Sequence, residues 1–463
     1  MMKPVKVGLL PLYLKLYDDT TPEYRPGVER FRDLIAAKLG ERDLQVSVAP
    51  VCRVATEFAA AVRSFEQEQV DAIVTLHLAY SPSEESAPIL AATPLPVIVL
   101  DTTPTFDFSP TQSPDEVMYN HGIHGVQDLC NLLLRRGKTF HIEVGHWERS
   151  DVLDRVAQAA RSAHIAQAMR SARVGRIGNP FQGMGDFAVP ELTLARMMGV
   201  TVIPATPQEI GARLAGISQA AIDAERAADM QRFNAEGMSQ VSYDPTARVS
   251  LAVRQWIEQE RLMAFTMNFM ETNRPAGMPT MPFLEASKGM ARGVGYAGEG
   301  DCLTAALVGA LASVFSEVSF TEMFCPDWAH EAIFLSHMGE MNVDLVAGKA
   351  RLISKPFSFI DIDDPVLAVG RFKGGPATFV NLAPGPADTY TLIVAPIMVQ
   401  EVPGEDAHEG SVRGWFKPTG SLEAFLTDYS RLGGTHHAAL VYGDALHTIS
   451  GFGEWMGWRV ALI

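Results

Sequence analysis

The chain has 463 residues, 47% of them apolar and 20% charged, with a formal net charge of −16. That length is too great for one ordinary core and predicts two or three domains of globular, soluble composition. The acidic balance excludes a basic nucleic-acid-binding stripe and disfavours polyanionic partners.

The first residues, MMKPVKVGLLPLYLKLYDD, imitate a signal peptide, but the apolar stretch is short and is interrupted by proline and lysine. VKVGLLPLYL (5–14) therefore reads as a first buried strand. PGVERFRDLIAAKLGER follows, with Val28, Phe31, Leu34 and Ile35 at helical spacing and Gly40 near its end. QVSVAPVC is a strand candidate and ATEFAAAVRSFEQEQ a helix candidate. VDAIVTLHL (70–78) is a near-continuous apolar run, the pattern of a strand buried on both faces of a parallel sheet. PLPVIVLD repeats it, then come the helix candidate GVQDLCNLLLRRG and the strand candidate TFHIEVGHW (139–147). This rhythm predicts an open parallel sheet with helices on both faces.

A second unit of the same kind begins near Ala172. ARVGRIGN is a strand candidate, FQGMGDFAVP a glycine-rich turn, ELTLARMMG a helix, VTVIPATP (200–207) a strand and PQEIGARLAGIS a helix. The stretch from Gln219 to Asn273 reads as helical almost throughout, with paired charges such as Glu225 and Arg226. CLTAALVGALASVFS has the apolar density of a buried helix, and its run Thr304 to Phe315 is too short to span a bilayer. From about Leu352 the runs KPFSFIDI, VLAVGRFKG, ATFVNLAPG and TYTLIVAPIMV read as short strands broken by Gly and Pro. They predict an antiparallel sandwich or barrel. The acidic segment from Glu401 to Glu409 reads as a surface loop. The expected fold is α/β. Two doubly wound, Rossmann-like parallel-sheet domains (1–172 and 173–317) precede a C-terminal antiparallel β-rich barrel or sandwich domain (318–463). The cysteines Cys52, Cys130, Cys302 and Cys325 form no CxxC pair. That excludes a zinc ribbon and a disulfide framework, and fits reduced thiols in a cytoplasm.

Four polar side chains in the last third carry candidate chemistry: Glu299, Glu322, His337 and His437. Singly, each has a structural explanation. Glu299 lies between Gly298 and Gly300, where the backbone can turn sharply. Asp301, next to it, is a good helix N-cap. His337 could end a helix, and His436–His437 could be a surface pair. Gaps of 23, 15 and 100 residues match no compact metal motif.

The surrounding text weighs more than the spacing. GYAGEGDCLTAAL, SFTE followed by SHM, and GGTHH, in that order, resemble the three metal-bearing segments of L-arabinose isomerases. LHLAYSP (76–82), HGIHG (121–125), EVGHW (143–147) and IPATPQEIGARLAGIS are similar to further parts of that family. The resemblance covers most of the chain and is strongest around Glu299 and His437. It implies Glu299, Glu322, His337 and His437 as metal ligands. It implies that His436 either supports a ligand from behind or touches the sugar. It also implies that His124 reaches the sugar from the N-terminal domain and that Met184 walls the sugar pocket. The family's Gln-His-Tyr loop is replaced here by LPLYLKLYDDTTP, and Cys302 and Met323 stand where the family has a tryptophan and an acid. These departures leave the sugar open.

Two carboxylates and two imidazoles form a mixed oxygen/nitrogen set that suits Mn²⁺, with Mg²⁺ or Co²⁺ as alternatives. The implied activity is metal-dependent aldose–ketose isomerisation of a free pentose or hexose through a metal-chelated enediol. A cation chelated by O1 and O2 stabilises charge on the enediol, and Glu299 and Glu322 move the proton. A metal-assisted hydride shift would use the same ligands. The alternatives are another metal-dependent sugar enzyme on this scaffold (an epimerase, aldolase or lyase) and a non-catalytic sugar-binding protein. GVGYAGEG (293–300) lacks the P-loop lysine and reads as a site loop. No basic clamp for a sugar phosphate is visible, and neither a nucleic acid nor a membrane is an expected partner. The resemblance implies a cytoplasmic homo-oligomer, a trimer or hexamer, with a pocket shared between subunits.

Overall fold

In the computed structural model, which describes residues 4–236 and 238–463, the chain opens with β1 (Val5–Leu12), buried along almost its whole length. With β2 (Leu44–Val48), β3 (Ala72–His77), β4 (Val97–Asp101) and β5 (Phe140–Val144) it forms a parallel sheet in the order β2-β1-β3-β4-β5. Every residue of β3 is buried, as expected of a strand covered on both faces. The helix Arg25–Gly40 turns Val28, Phe31, Ile35 and Leu39 inward, and Ala55–Gln67 does the same with Phe58, Ala61, Val62 and Phe65. The Phe65 ring comes within 2.6 Å of where a Cβ on Gly8 would sit, so β1 needs glycine there. These elements belong to a unit that ends at Gln167.

The second unit runs from Ala168 to Ile463 and holds two kinds of sheet. The first is parallel: β6 (Arg173–Ile177), β7 (Thr201–Ala205), β8 (Ala264–Met267) and β9 (Gly295–Ala297), in the order β7-β6-β8-β9. A capping box between Thr206 and Glu209 starts the helix Pro207–Arg213. The expectation of near-continuous helix from Gln219 to Asn273 is corrected here. The helices are Gln219–Arg232 and Gln240–Glu260, and β8 follows them. All four residues of β8 are buried, so it shows no alternation that would mark it as a strand. The neighbours Glu225 and Arg226 do not pair with each other. Glu225 bonds Arg254 and the buried Lys288, while Arg226 bonds Asp223 and Asp244.

The remaining strands are β10 (Val318–Asp327), β11 (Ala332–His337), β12 (Arg351–Ser354), β13 (Val366–Val369), β14 (Gly375–Pro384), β15 (Tyr390–Val399), β16 (Val412–Pro418), β17 (His437–Tyr442) and β18 (Arg459–Leu462). Six of them, in the order β14-β17-β10-β11-β16-β15, form an antiparallel barrel that β14 and β15 close; β18 adds to β15 in parallel. The strand β12 pairs with β13 in a two-stranded sheet, and its Arg351 also bridges Asn234. The barrel therefore begins at Val318, ahead of the β-rich text near Leu352. KPFSFIDI is irregular rather than a strand, because Phe357 and Phe359 pack their rings against Phe269 instead of extending an edge. The helix Cys302–Ala312 is buried from Cys302 to Leu311 and touches β8, β9, β10, β14 and β17, which ties the parallel sheet to the barrel. No helix is long and apolar enough to cross a membrane among the described residues. Residues 401–409 form a mostly exposed loop, with Asp406 drawn in by Arg371 and Arg413.

Candidate metal centre

The centre lies where β9 and β11 end and β17 begins, beside the middle of β10. After β9 the chain turns through Gly298-Glu299-Gly300, and Glu299 takes a left-handed backbone with φ of 62°. Such a conformation is costly for a residue with a side chain and marks a held position. Three bonds hold it. The Gly300 N–H donates to Met267 O (3.1 Å), the Phe181 N–H to Glu299 O (3.1 Å) and Thr266 Oγ1 to Gly298 O (3.2 Å). In the barrel, Glu322 of β10 is paired directly with His437 of β17, so the two side chains share a face. His337 closes β11.

One ligand atom each from Glu299, His337 and His437 lies within 4.8 Å of the others. Glu299 Oε2 is 3.3 Å from His437 Nε2, and Glu322 Oε2 is 3.9 Å from His337 Nε2. Both imidazoles are braced from behind. His437 Nδ1 donates to Asp301 Oδ2 (2.9 Å), and His337 Nδ1 donates to Glu340 Oε2 (2.7 Å). Glu340 also accepts from Tyr296 Oη (2.6 Å) and from the Gly339 N–H (2.8 Å). Bracing of this kind fixes the tautomer and leaves Nε2 as the free donor atom of a metal-binding histidine. His437 Nε2 is buried and makes no hydrogen bond. The donor set, with this buried nitrogen facing a carboxylate oxygen, fits a divalent cation.

A further face comes from the irregular segment after β6. Asp186 Oδ2 accepts from His436 Nδ1 (2.6 Å) and from the His436 backbone N–H (2.9 Å). The Phe187 ring stacks on His437 with centroids 4.8 Å apart and a 10° interplanar angle. Met184 is half-buried on the same segment. Asp186, Phe187 and Glu340 were not among the sequence-derived candidates, and Asp301 was read only as a cap. The signals were short: Glu340 follows His337 by three residues in SHMGE, and Asp301 ends GEGD.

Electrostatically the two glutamates diverge. Burial works against charge on Glu299, but His436 and His437 outweigh it and hold its carboxyl down to about 2. Burial raises the Glu322 carboxyl above its usual range, and the nearby imidazoles only partly offset this. Burial also disfavours charge on His437, yet Asp301 and Glu299 reverse this and lift it to about 9. In the metal-free protein His437 is thus protonated at neutral pH, and a cation must displace that proton. With a folded value of about 9 above an ordinary 6.5, the ion pair's stabilisation is full below pH 6.5 and is lost as pH rises through 9. Stabilisation by a bound cation has the opposite slope. The rise in Tm on adding Mn²⁺ is expected to grow between pH 6.5 and 9. Calorimetry across that range checks it, and a flat response would remove His437 from the ligand set.

The unit ending at Gln167 carries its own polar group at the carboxyl ends of β1 and β3, where the strand order reverses and α/β proteins bind ligands. Tyr13 Oη, Thr75 Oγ1, both ring nitrogens of His77, and the hydroxyls of Ser81, Ser83 and Ser86 are buried there without hydrogen bonds. Burial drives His77 down to about 3, so it is neutral. The helix Ile123–Arg135 starts against it, and Cβ atoms on Gly122 and Gly125 would lie 2.6 Å and 2.5 Å from His77 atoms. That contact accounts for the glycines of HGIHG. His124 is exposed on this helix, its ring 6.1 Å from His121 and 6.5 Å from Tyr80.

Two family models match the chain. The L-arabinose isomerase central domain matches residues 178–317, and the L-arabinose isomerase C-terminal domain matches residues 317–459. An L-arabinose isomerase of Herpetosiphon aurantiacus is 27% identical over 364 residues, covering 74% of this chain and 70% of the relative. L-arabinose isomerase 1 of Bacillus licheniformis is 24% identical over 447 residues, covering 94% of this chain and 90% of the relative.

Proposed function

This chain belongs to the L-arabinose isomerase family as a divergent member, and from that premise we propose that it interconverts a free aldopentose or aldohexose with the corresponding 2-ketose, using a divalent cation held by Glu299, Glu322, His337 and His437. As a member it is a sugar isomerase, an intramolecular oxidoreductase of the aldose–ketose type. The observation that carries the metal reading is the trio of ligand atoms within 4.8 Å, with His437 Nε2 buried and facing Glu299 Oε2 at 3.3 Å. Mn²⁺ is the preferred ion because the set is oxygen-rich and has no thiolate; Mg²⁺ and Co²⁺ share that chemistry. When bound, the cation supplies Lewis-acid stabilisation of charge developing on the sugar oxygens.

The chain's own residues then move protons. A carboxylate takes the C2 proton, the electron pair forms C1=C2 while O1 takes up a proton to give the enediol, and O2 then gives up its proton as the carbonyl forms at C2 and a carboxyl on the same face returns a proton to C1. Glu299 and Glu322 are the pair. In the metal-free protein their environments differ: His436 and His437 hold Glu299 toward the ionised form, and burial raises Glu322. His436, Met184 and, across a subunit boundary, His124 would contact the sugar. The polar strand ends around His77 support a sugar-facing role for the unit that bears His124. We read the assembly as a cytoplasmic homo-oligomer, a trimer or hexamer, and the chain as domains 1–172, 173–317 and 318–463. The family-model boundary at 317 supports the last division.

The test is aldose-to-ketose conversion over a panel of pentoses and hexoses by chelator-treated protein with and without added Mn²⁺. The expected result is turnover on at least one sugar that disappears with chelation and returns with Mn²⁺. Metal binding without turnover on the whole panel would overturn the isomerase reading.

A further inference from the structure

His436 stands beside the centre but outside the trio that can share an ion. Its Nδ1 and its backbone N–H both meet Asp186 Oδ2. A carboxylate there only accepts, so Nδ1 carries a proton, and Asp186 fixes the direction in which Nε2 points. That Nε2 lies 3.6 Å from Glu299 Oε2. The His436 side chain is 31% exposed, against 0% for His437 and 3% for His337, so His436 is the imidazole of this cluster that a ligand can touch. The segment bearing Asp186 is itself tied to the centre. Phe181 binds the Glu299 carbonyl, and Phe187 stacks on His437.

We propose that Asp186 is a positioning residue for the isomerisation, holding His436 so that Nε2 meets a sugar hydroxyl beside Glu299. The inference rests on the isomerase reading and adds a residue to it. Without Asp186 the ring is free to rotate, and the hydroxyl then loses a partner held at a fixed place. The contact is made to a hydroxyl that keeps its bond throughout the reaction. It therefore contributes about equally to the bound sugar and to the transition state, and its loss raises KM more than it lowers kcat.

The experiment compares wild type, Asp186→Ala, Asp186→Asn, His436→Ala and the Asp186→Ala/His436→Ala double variant on the aldose that wild type converts fastest, with Mn²⁺ present. Asp186→Ala is expected to lower kcat/KM by roughly 10–100-fold, the usual cost of removing an outer hydrogen-bond partner, mainly through KM. Mn²⁺ affinity, read by titration of the metal-free protein, is expected to stay at the wild-type level. Asp186→Asn keeps an acceptor oxygen and is expected to restore most of the loss. Because Asp186 acts through His436, the double variant is expected to be no worse than His436→Ala alone. A wild-type KM in Asp186→Ala, or additive losses in the double variant, would overturn the proposal while leaving the isomerase reading intact. No turnover by wild type on any aldose would overturn both.

Discussion

Glu299→Gln is expected to cut turnover by roughly 10²–10⁴-fold, the range for loss of a general acid/base, and to weaken Mn²⁺ binding as well. The substitution preserves shape, so the left-handed turn and its three backbone bonds persist. It removes the charge that faces His437 Nε2 at 3.3 Å and the only group at that position able to accept a proton. An amide is also a poorer ligand for a hard cation than a carboxylate. Steady-state rates and Mn²⁺ titration of wild type and variant, in parallel, separate the two effects at saturating metal. Near-wild-type turnover would strike Glu299 from the acid/base pair. The flanking glycine leaves little freedom for repair by evolution or design. A Cβ on Gly298 would lie 2.7 Å from His337 Cε1 and 3.0 Å from its Nε2.

Asp301→Asn is expected to disable metal binding while sparing the fold. Asp301 is fully buried and serves two masters. One oxygen caps the helix Cys302–Ala312 by accepting from the Thr304 N–H at 2.9 Å, and the other orients His437. Asparagine keeps an acceptor for the cap, whose complete loss costs about 1 kcal/mol. Its amide nitrogen then faces His437 Nδ1 and donates where the carboxylate accepted. That forces the proton onto Nε2, the atom aimed at the ion, in the manner known to disable catalytic histidines. Loss of an outer carboxylate alone costs about 10–100-fold in metal affinity. The wrong tautomer puts Asp301→Asn at or beyond the upper end of that range. Asp301→Ala, by contrast, is expected to lose both cap stability and affinity. Thermal unfolding and Mn²⁺ titration of the two variants distinguish the roles. Equal metal affinity in Asp301→Asn and wild type would show that His437 is not a ligand through Nε2.

The text around Glu299, Glu322, His337 and His437 was legible because these segments are short and local. Three of them, Glu299, His337 and His437, place a ligand atom each within 4.8 Å of one another, and Glu322 Oε2 lies 3.9 Å from His337 Nε2. What surrounds them was not legible. Asp301 satisfied a local rule, helix capping, and nothing local reveals that its second oxygen meets a residue 136 positions away. Asp186 and Phe187 sit in a segment without periodicity, so only the fold brings them to the His436–His437 pair. At the level of architecture, βαβ text predicted both parallel sheets, but a buried four-residue strand such as β8 carries no alternating pattern to set it apart from the helices before it. The barrel's first two strands, SFTEMFCPD and AIFLSH, fall inside the expected β-rich domain from 318, but lie ahead of the Gly- and Pro-broken runs near Leu352 that mark it.

The barrel seals itself by pairing strands that are far apart in the chain. β10, which bears Glu322, is flanked by β17, which bears His437. His437 lies 100 residues beyond His337. On a ribosome adding about 5–20 residues per second, Glu299, Glu322 and His337 are made roughly 5–20 s before the residue that completes their set. On the proposed set, three donors without the fourth bind ions weakly and without selection, and the cell's most competitive metals are then the first to arrive. Loading is then expected to follow translation of β17, and the ion found on the protein to reflect the metal pool the full-length chain meets.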